Sequence, residues 1–387
     1  MRNAGRWIAT LALALFLPAC AILPRPEPEP PPPDPTALTA ETLERIRDNP
    51  PWLTAFLRDM PKGGDIHSHL TGAIYAESYI RWAVDDGLCL ERDSLALVAP
   101  PCEPVSARIP AAAILANASL YGDVIDAWSL RNWHPSQGAG QDQFAQAFLK
   151  FRARDRTGDM LAEVTTRAAG QRITYVELLL GPRLDAVMAL GRKVDWIGDT
   201  DSSRTRLLAA GLRDTLAQVE RLLDSAEERR REIQHCDTPE ADPGCAVTVR
   251  YLYQVLRARP ADEVFAQILA GFELALTDDR VVGFNLVQPE DNPLAMLDFS
   301  LHMAMIDSLH THYPDVPIAL HAGELTEGLV PPEALRFHIR ASIEQGHASR
   351  ISHGVSVMQE DDAQGLLRMM AGREILVEVA LSSNDAL

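Results

Sequence analysis

Short β-branched runs alternate with long stretches of helical periodicity along most of this chain of 387 residues. Strands are predicted at DIHSHL (65–70), ITYVELLL (173–180), VTVRYLYQV (247–255), VVGFNLV (281–287), PIALHAG (317–323), RISHG (350–354) and ILVEVALSS (375–383). Between them, helices are predicted over Asp142–Ala169, Arg204–His235, Ala261–Leu276, Leu294–His310 and Pro332–Gln345. In the second of these, Leu207, Leu208, Leu212, Leu216, Val219, Leu222 and Leu223 recur at helical spacing, and the far end, EERRREIQ, is charged and solvated. Strand–helix alternation of this kind predicts a parallel α/β architecture. The count is seven strands, with no eighth.

Polar residues gather at the carboxyl ends of these strands: His67 and His69, Asn285, His321 with Glu324, and His353. A barrel carries its chemistry on that face. An open doubly wound sheet also binds at strand ends, but usually through a glycine-rich phosphate turn, and no G-x-G-x-x-G follows the first strand. The barrel is the better reading. In GDIHSHLTGA, side-chain alternation sends His67 and His69 to one face, with Asp65 beside them, so two imidazoles can converge on one metal ion. IALHAGELTEG ends a further strand on His321, a third nitrogen ligand, and leaves Glu324 free as a proton carrier. A single histidine of the eleven is more often structural than functional. Four at the ends of three strands, beside a glutamate, form a candidate site.

Composition changes the picture at the amino end. MRNAGRWIATLALALFLPAC has two arginines, an apolar run too short to span a bilayer comfortably, and small Ala19 before Cys20. It reads as a signal peptide (1–20) with a bacterial lipobox, Cys20 being the lipidated residue. Plain secretion with cleavage near Ala21 is the alternative. The proline-rich segment 21–36 is expected to be an extended linker, and residues 37–387 the globular domain. The expected address is therefore an exported, membrane-anchored lipoprotein facing the periplasm or cell exterior. Net charge is −18, or −20 once Arg2 and Arg6 leave with the signal, and no basic patch stands out, which argues against nucleic-acid binding. The four remaining cysteines form two local pairs, Cys89 with Cys102 and Cys236 with Cys245. Of the three possible pairings, the local one is favoured in an oxidising compartment.

MPKGGDIHSHLTGAI, VVGFNLVQPED, LHAGE, RISHG and EVALSSN occur in the order found in the adenosine deaminase family. The chain resembles that family from about Leu57 onward, and most of all its secreted growth-factor branch, with VIDAWSLRNW and GQDQFAQAFLKF as further similarities. The resemblance implies a (β/α)8 TIM-type barrel of the metallo-dependent hydrolase kind. It implies one Zn2+ held by His67, His69 and His321, with Glu324 protonating the purine ring and His353 orienting the attacking hydroxide. The implied reaction is hydrolytic deamination of adenosine or a related 6-aminopurine nucleoside, releasing ammonia. Gln288 stands where the family has a purine-contacting glycine, and Thr71 where classical members have a ribose-contacting aspartate. Trp128 is a third candidate substrate contact. Ser352 replaces the first glycine of R-I-G-H-G, and Gly354 keeps the second. The family's fourth metal ligand and neighbouring substrate aspartate follow an eighth strand. This sequence reaches Leu387 just after the seventh, with Asp385 too close to that strand to be either, so the barrel domain is expected to be incomplete at its carboxyl end, poorly soluble and essentially inactive as it stands. The rival readings are another metal-dependent amidohydrolase, and a non-catalytic membrane-tethered purine binder. Two-metal amidohydrolases commonly use a bridging lysine, and no lysine follows Lys193.

Overall fold

The computed structural model describes residues 34–103, 107–151 and 155–386. The signal segment, Cys20 and residues 21–33 of the linker lie outside the described residues. The chain divides into two units, Met1–Leu57 and Arg58–Leu387. In the first, a helix starts at Pro35, inside the last residues of the expected linker. Asp34 caps it by accepting from the Thr36 amide, and proline at the first helical position costs no hydrogen bond. A second helix starts at Pro50. Neither buries a residue, and Trp52 is exposed.

The second unit is built on seven parallel strands: β1 (Gly63–His69), β2 (Ile173–Leu180), β3 (Thr248–Leu256), β4 (Val281–Val287), β5 (Ala319–Ala322), β6 (Arg350–His353) and β7 (Leu376–Glu378). All seven predicted strands are present. Ladders join β1 to β4 in chain order and β5 to β7 likewise, and a parallel bridge between Phe284 and Ile318 links the two sets. Neighbours in sequence are neighbours in space throughout, the order of a βα barrel. Among the described residues β1 pairs only with β2 and β7 only with β6, so the barrel is not closed.

Gly283 shows how tightly the arc is drawn at β4. With φ at +145°, a side chain there would meet the Pro317 carbonyl oxygen at 2.4 Å, so only glycine lets β4 approach the start of β5. The main apolar core lies between the strands and their helices, of which Ala261–Thr277 is the most deeply packed. A second, small cluster of Leu179, Leu252, Val287 and Ala319 is distinct from it. Each of these is two residues from a polar side chain on its own strand: Glu177, Gln254, Asn285 and His321. Alternation therefore puts both sets on the inner face.

The helices depart from expectation at their breaks. The segment 204–235 forms two helices, Thr200–Ala209 and Leu212–Ile233, because Gly211 adopts φ +98° between them. Segment 142–169 forms Gly140–Lys150 and Thr157–Gly170. Segment 294–310 is divided at Asp298, and 332–345 at Arg336 and Phe337. Periodicity continues across such kinks, since each is only one or a few residues long. The predicted strand 375–383 ends early. β7 stops at Glu378, and Leu381–Ala386 is helical, with Asp385 exposed on it. Paired on one side only, β7 has half the ladder bonds that would hold a longer strand extended.

Between β1 and β2 the chain adds a small antiparallel sheet of Cys89–Glu91, Leu97–Val98 and Arg108–Pro110, which the sequence reading missed. Disulfides join Cys89 to Cys102 and Cys236 to Cys245, the local pairing expected. No helix among the described residues is long and apolar enough to cross a membrane.

Candidate active site

His67 and His69 end β1, His321 lies on β5 and His353 closes β6. The sheet brings all four imidazoles together: the His67 ring is centred 5.7 Å from that of His69, 4.8 Å from His321 and 5.0 Å from His353. A register irregularity between Asp65 and Ser68 adjusts the end of β1. Asp65 does not join the cluster. Its carboxylate accepts from the His67 amide at 3.1 Å. His353 would face away from Ser352 by strict alternation, but its φ of +78° breaks the strand and turns the ring toward its neighbours. A non-glycine residue in that region is strained, a cost that persists where surrounding contacts over-determine the position.

Among the described residues, one group of three or more His, Cys, Asp and Glu side chains could hold a metal ion: His67, His69 and His321, with ligand atoms within 4.8 Å of one another. The hydrogen bonds around them fit that use. Nδ1 of His67 lies 2.9 Å from Glu378 Oε2, and Nδ1 of His321 lies 2.8 Å from Asn285 Oδ1. The His321 backbone amide also donates to that oxygen at 2.9 Å, which identifies it as the acceptor end of the amide. Both rings therefore carry hydrogen on Nδ1, which leaves Nε2 as the nitrogen available to a metal, the arrangement that metal-binding histidines adopt. The Gln254 amide nitrogen lies 2.8 Å from Nδ1 of His69, and a half-turn of that amide offers its oxygen instead. Nε2 of His69 and Nε2 of His321 face each other at 3.4 Å. Burial holds His69 neutral, its pKa pushed down to about 3, and drives His321 well below the ordinary histidine range.

Glu324 follows β5 through Gly323, whose φ is +68° and whose absent side chain would collide with Ile339 and the Ser356 hydroxyl. One carboxylate fixes this turn. Glu290 accepts from the backbone amides of Gly323 (2.8 Å), Glu324 (2.9 Å) and Leu325 (3.2 Å). Burial alone would raise the Glu290 pKa, but His338, the Arg257 charge and these amides outweigh it and hold it at about 2. Glu324 itself has no such support. Burial pushes its carboxyl up to about 7, against the opposing charge of Arg257, and Oε1 lies 3.5 Å from His353 Nε2. A carboxyl poised near neutrality can both give and take a proton.

The weaker substrate candidates are placed differently. Gln288 adopts φ +88°, a glycine-like conformation, and its side chain accepts from the Ala258 amide at 2.9 Å. Thr71 is exposed, and its carbonyl accepts from the Tyr79 hydroxyl. Trp128 is buried, with its indole N–H given to the Leu95 carbonyl at 2.7 Å, so the structure uses it in packing and does not bring it to the histidines. Phe148 flanks the site instead, its ring centred 6.4 Å from that of His69. The sequence reading passed over Gln254, Ser352, Glu378 and Glu290 as site residues. The signal for two of them was a lone polar residue inside an apolar strand, as in YLYQVL and ILVEVAL.

A parallel βα arc with a histidine cluster at its carboxyl ends is the arrangement of metallo-dependent hydrolases. The adenosine deaminase family model matches residues 141–387, and the chain belongs to that family. No curated protein matches the sequence. Solved structures similar to it include a zinc-bound amidohydrolase from Burkholderia ambifaria (16% identity, TM-score 0.48, covering 84% of this chain and 66% of that one). Others are an adenine deaminase from Arthrobacter aurescens (17%, 0.43, 85% and 74%) and Arabidopsis ADAL complexed with GMP (17%, 0.47, 86% and 74%). The chain thus spans 66% of the length of the first of these.

Proposed function

We propose that this protein catalyses zinc-dependent hydrolytic deamination of a 6-aminopurine nucleoside such as adenosine, giving the inosine-type product and ammonia. One observation carries the reading. A cluster of three imidazoles that could hold a metal stands beside a buried carboxyl whose pKa is near 7, at the carboxyl ends of the strands of an adenosine deaminase family fold. His67, His69 and His321 would hold the metal, which when bound supplies Lewis acidity to make water nucleophilic near neutral pH. Glu324, in its protonated form, donates to a ring nitrogen of the purine, so that the carbon bearing the amino group accepts the oxygen of water. The C–N bond then breaks: one proton of that water leaves with the amine as ammonia, and the other restores the Glu324 carboxyl, whose own proton stays on the ring nitrogen. His353, 3.5 Å from Glu324, orients the attacking oxygen and keeps the carboxyl turned toward the ring. Phe148 supplies an apolar wall on the His69 side.

The proposed setting is an exported lipoprotein anchored through Cys20; the two disulfides support the export, because such bonds persist in oxidising compartments. The test is metal analysis of the purified protein together with ammonia release from adenosine, deoxyadenosine and adenine. Stoichiometric zinc with nucleoside-dependent ammonia is expected. Zinc without ammonia release from any 6-aminopurine would overturn the reading.

A further inference from the structure

Beneath the histidines, the inner face of β4, β6 and β7 holds a buried chain of side chains that the proposed chemistry does not use. Asn285 Nδ2 donates to Ser352 Oγ at 3.0 Å, and Ser352 Oγ donates to Glu378 Oε2 at 2.7 Å. Asn285 and Ser352 are both completely buried. The ends of this chain are the Nδ1 atoms of His321 and His67, on Asn285 Oδ1 and on the same Glu378 Oε2 that Ser352 contacts.

The direction of every bond is determined. The His321 backbone amide can only donate, so the Asn285 oxygen faces β5 and its nitrogen faces Ser352. The Ser352 hydroxyl accepts that N–H and must then give its own hydrogen to the carboxylate. Glu378 is an acceptor on this side. Its Oε2 faces the Ser352 hydroxyl and the His67 Nδ1–H, and its Oε1 lies 3.2 Å from Arg350 Nε. Ser352 thus accepts from the support of one histidine and donates to the support of another.

We infer that Ser352 is a positioning residue for the metal site, coupling His321 and His67 so that both present Nε2 at once. The inference rests on the histidine cluster being the zinc site. Without the hydroxyl, Asn285 Nδ2 is left buried with no acceptor and Glu378 loses one of the donors that fix its oxygen. Both supports loosen together, although neither histidine has been altered. Loss of a partner behind a metal ligand typically weakens metal binding by about 10–100-fold.

The test is zinc affinity, measured by competition with a chelator, for the wild type, Ser352→Ala, Ser352→Gly and Ser352→Thr. The melting temperature of each metal-free protein is recorded alongside. Ser352→Ala and Ser352→Gly should bind zinc about 10-fold or more weakly, and Ser352→Thr, which keeps the hydroxyl, should recover most of the loss. A purely structural role would lower the metal-free melting temperature and leave zinc affinity alone. If the threonine methyl is not accommodated, a double-mutant cycle of Ser352→Ala with Glu378→Gln decides, and additive losses overturn the coupling. Wild-type binding with an unchanged affinity in Ser352→Ala overturns this inference alone. A wild type that takes up no zinc overturns the metal site and this inference with it.

Discussion

Nδ1 of His67, on the first parallel strand, lies 2.9 Å from Oε2 of Glu378, on the last. Side chains thus meet across the interval where β1 and β7 have no shared ladder. Glu378 is anchored from the other side by Arg350, whose Nε is 3.2 Å from its second oxygen, and Arg350 also pairs with Glu177 at 2.7 Å. Glu378→Gln removes the charge behind His67 while Arg350 keeps a carboxylate partner. Zinc affinity is expected to fall about 10–100-fold with the fold retained, as read by chelator competition and far-ultraviolet circular dichroism. Unchanged affinity would show that the contact is idle.

His321 is expected to be indispensable to metal retention. It is buried, its Nδ1 is committed to Asn285, and its Nε2 faces that of His69. His321→Ala leaves two candidate ligands, and zinc should be lost on gel filtration. A stoichiometric metal content in that variant would refute the assignment.

Much of this was legible in the sequence, and the reasons for the misses are physical. Four of the strands, β2, β3, β4 and β7, carry mostly apolar runs, and the shorter β1, β5 and β6 end in the histidines that form the site. Side-chain alternation placed His67 and His69 together, and the structure does bring them within reach of His321. It could not place His353, whose orientation depends on a left-handed backbone at a strand end. Glu378 and Gln254 looked like single interruptions of apolar strands, because a residue facing a polar barrel interior has no periodic signature of its own. Trp128 followed the opposite course: an aromatic in a segment resembling family members proved to be a core residue with its N–H already spent.

Gln288 offers a test of backbone strain near the site. Its φ of +88° costs a residue with a side chain about 1–2 kcal/mol, and its side chain repays part of this through the 2.9 Å bond to the Ala258 amide. Gln288→Gly relieves the strain but loses the bond, worth about 1 kcal/mol, so its stability should stay close to that of the wild type. Gln288→Ala loses the bond and keeps the strain. Urea denaturation should therefore rank wild type and Gln288→Gly together, with Gln288→Ala below both by about 1 kcal/mol or more. The reverse order of the two variants would show that the conformation is not strained.

The last prediction concerns Glu324 and pH. Its carboxyl titrates near 4.5 in an ordinary setting and near 7 here, because burial opposes its ionisation. Below pH 4.5 the folded and unfolded chains both carry the proton and the group contributes equally to each. Between 4.5 and 7 the unfolded chain releases it while the folded chain retains it, so stability falls as pH rises and levels off above about 7. The loss is on the order of 3 kcal/mol from a shift of this size. Glu324→Gln cannot ionise and escapes that loss. In the metal-free state the variant should melt above the wild type at pH 8 and converge with it at pH 4. Catalysis should respond in the opposite sense. The amide keeps the shape but cannot deliver a proton, and turnover should drop by roughly 10²–10⁴-fold with zinc still bound. Wild-type kcat should decline as pH rises through the Glu324 titration, since the protonated form is the donor. A variant that lost zinc together with activity would assign Glu324 to the metal and not to the proton. A variant that melted below the wild type at pH 8 would mean that the buried carboxyl is stabilised in its charged form.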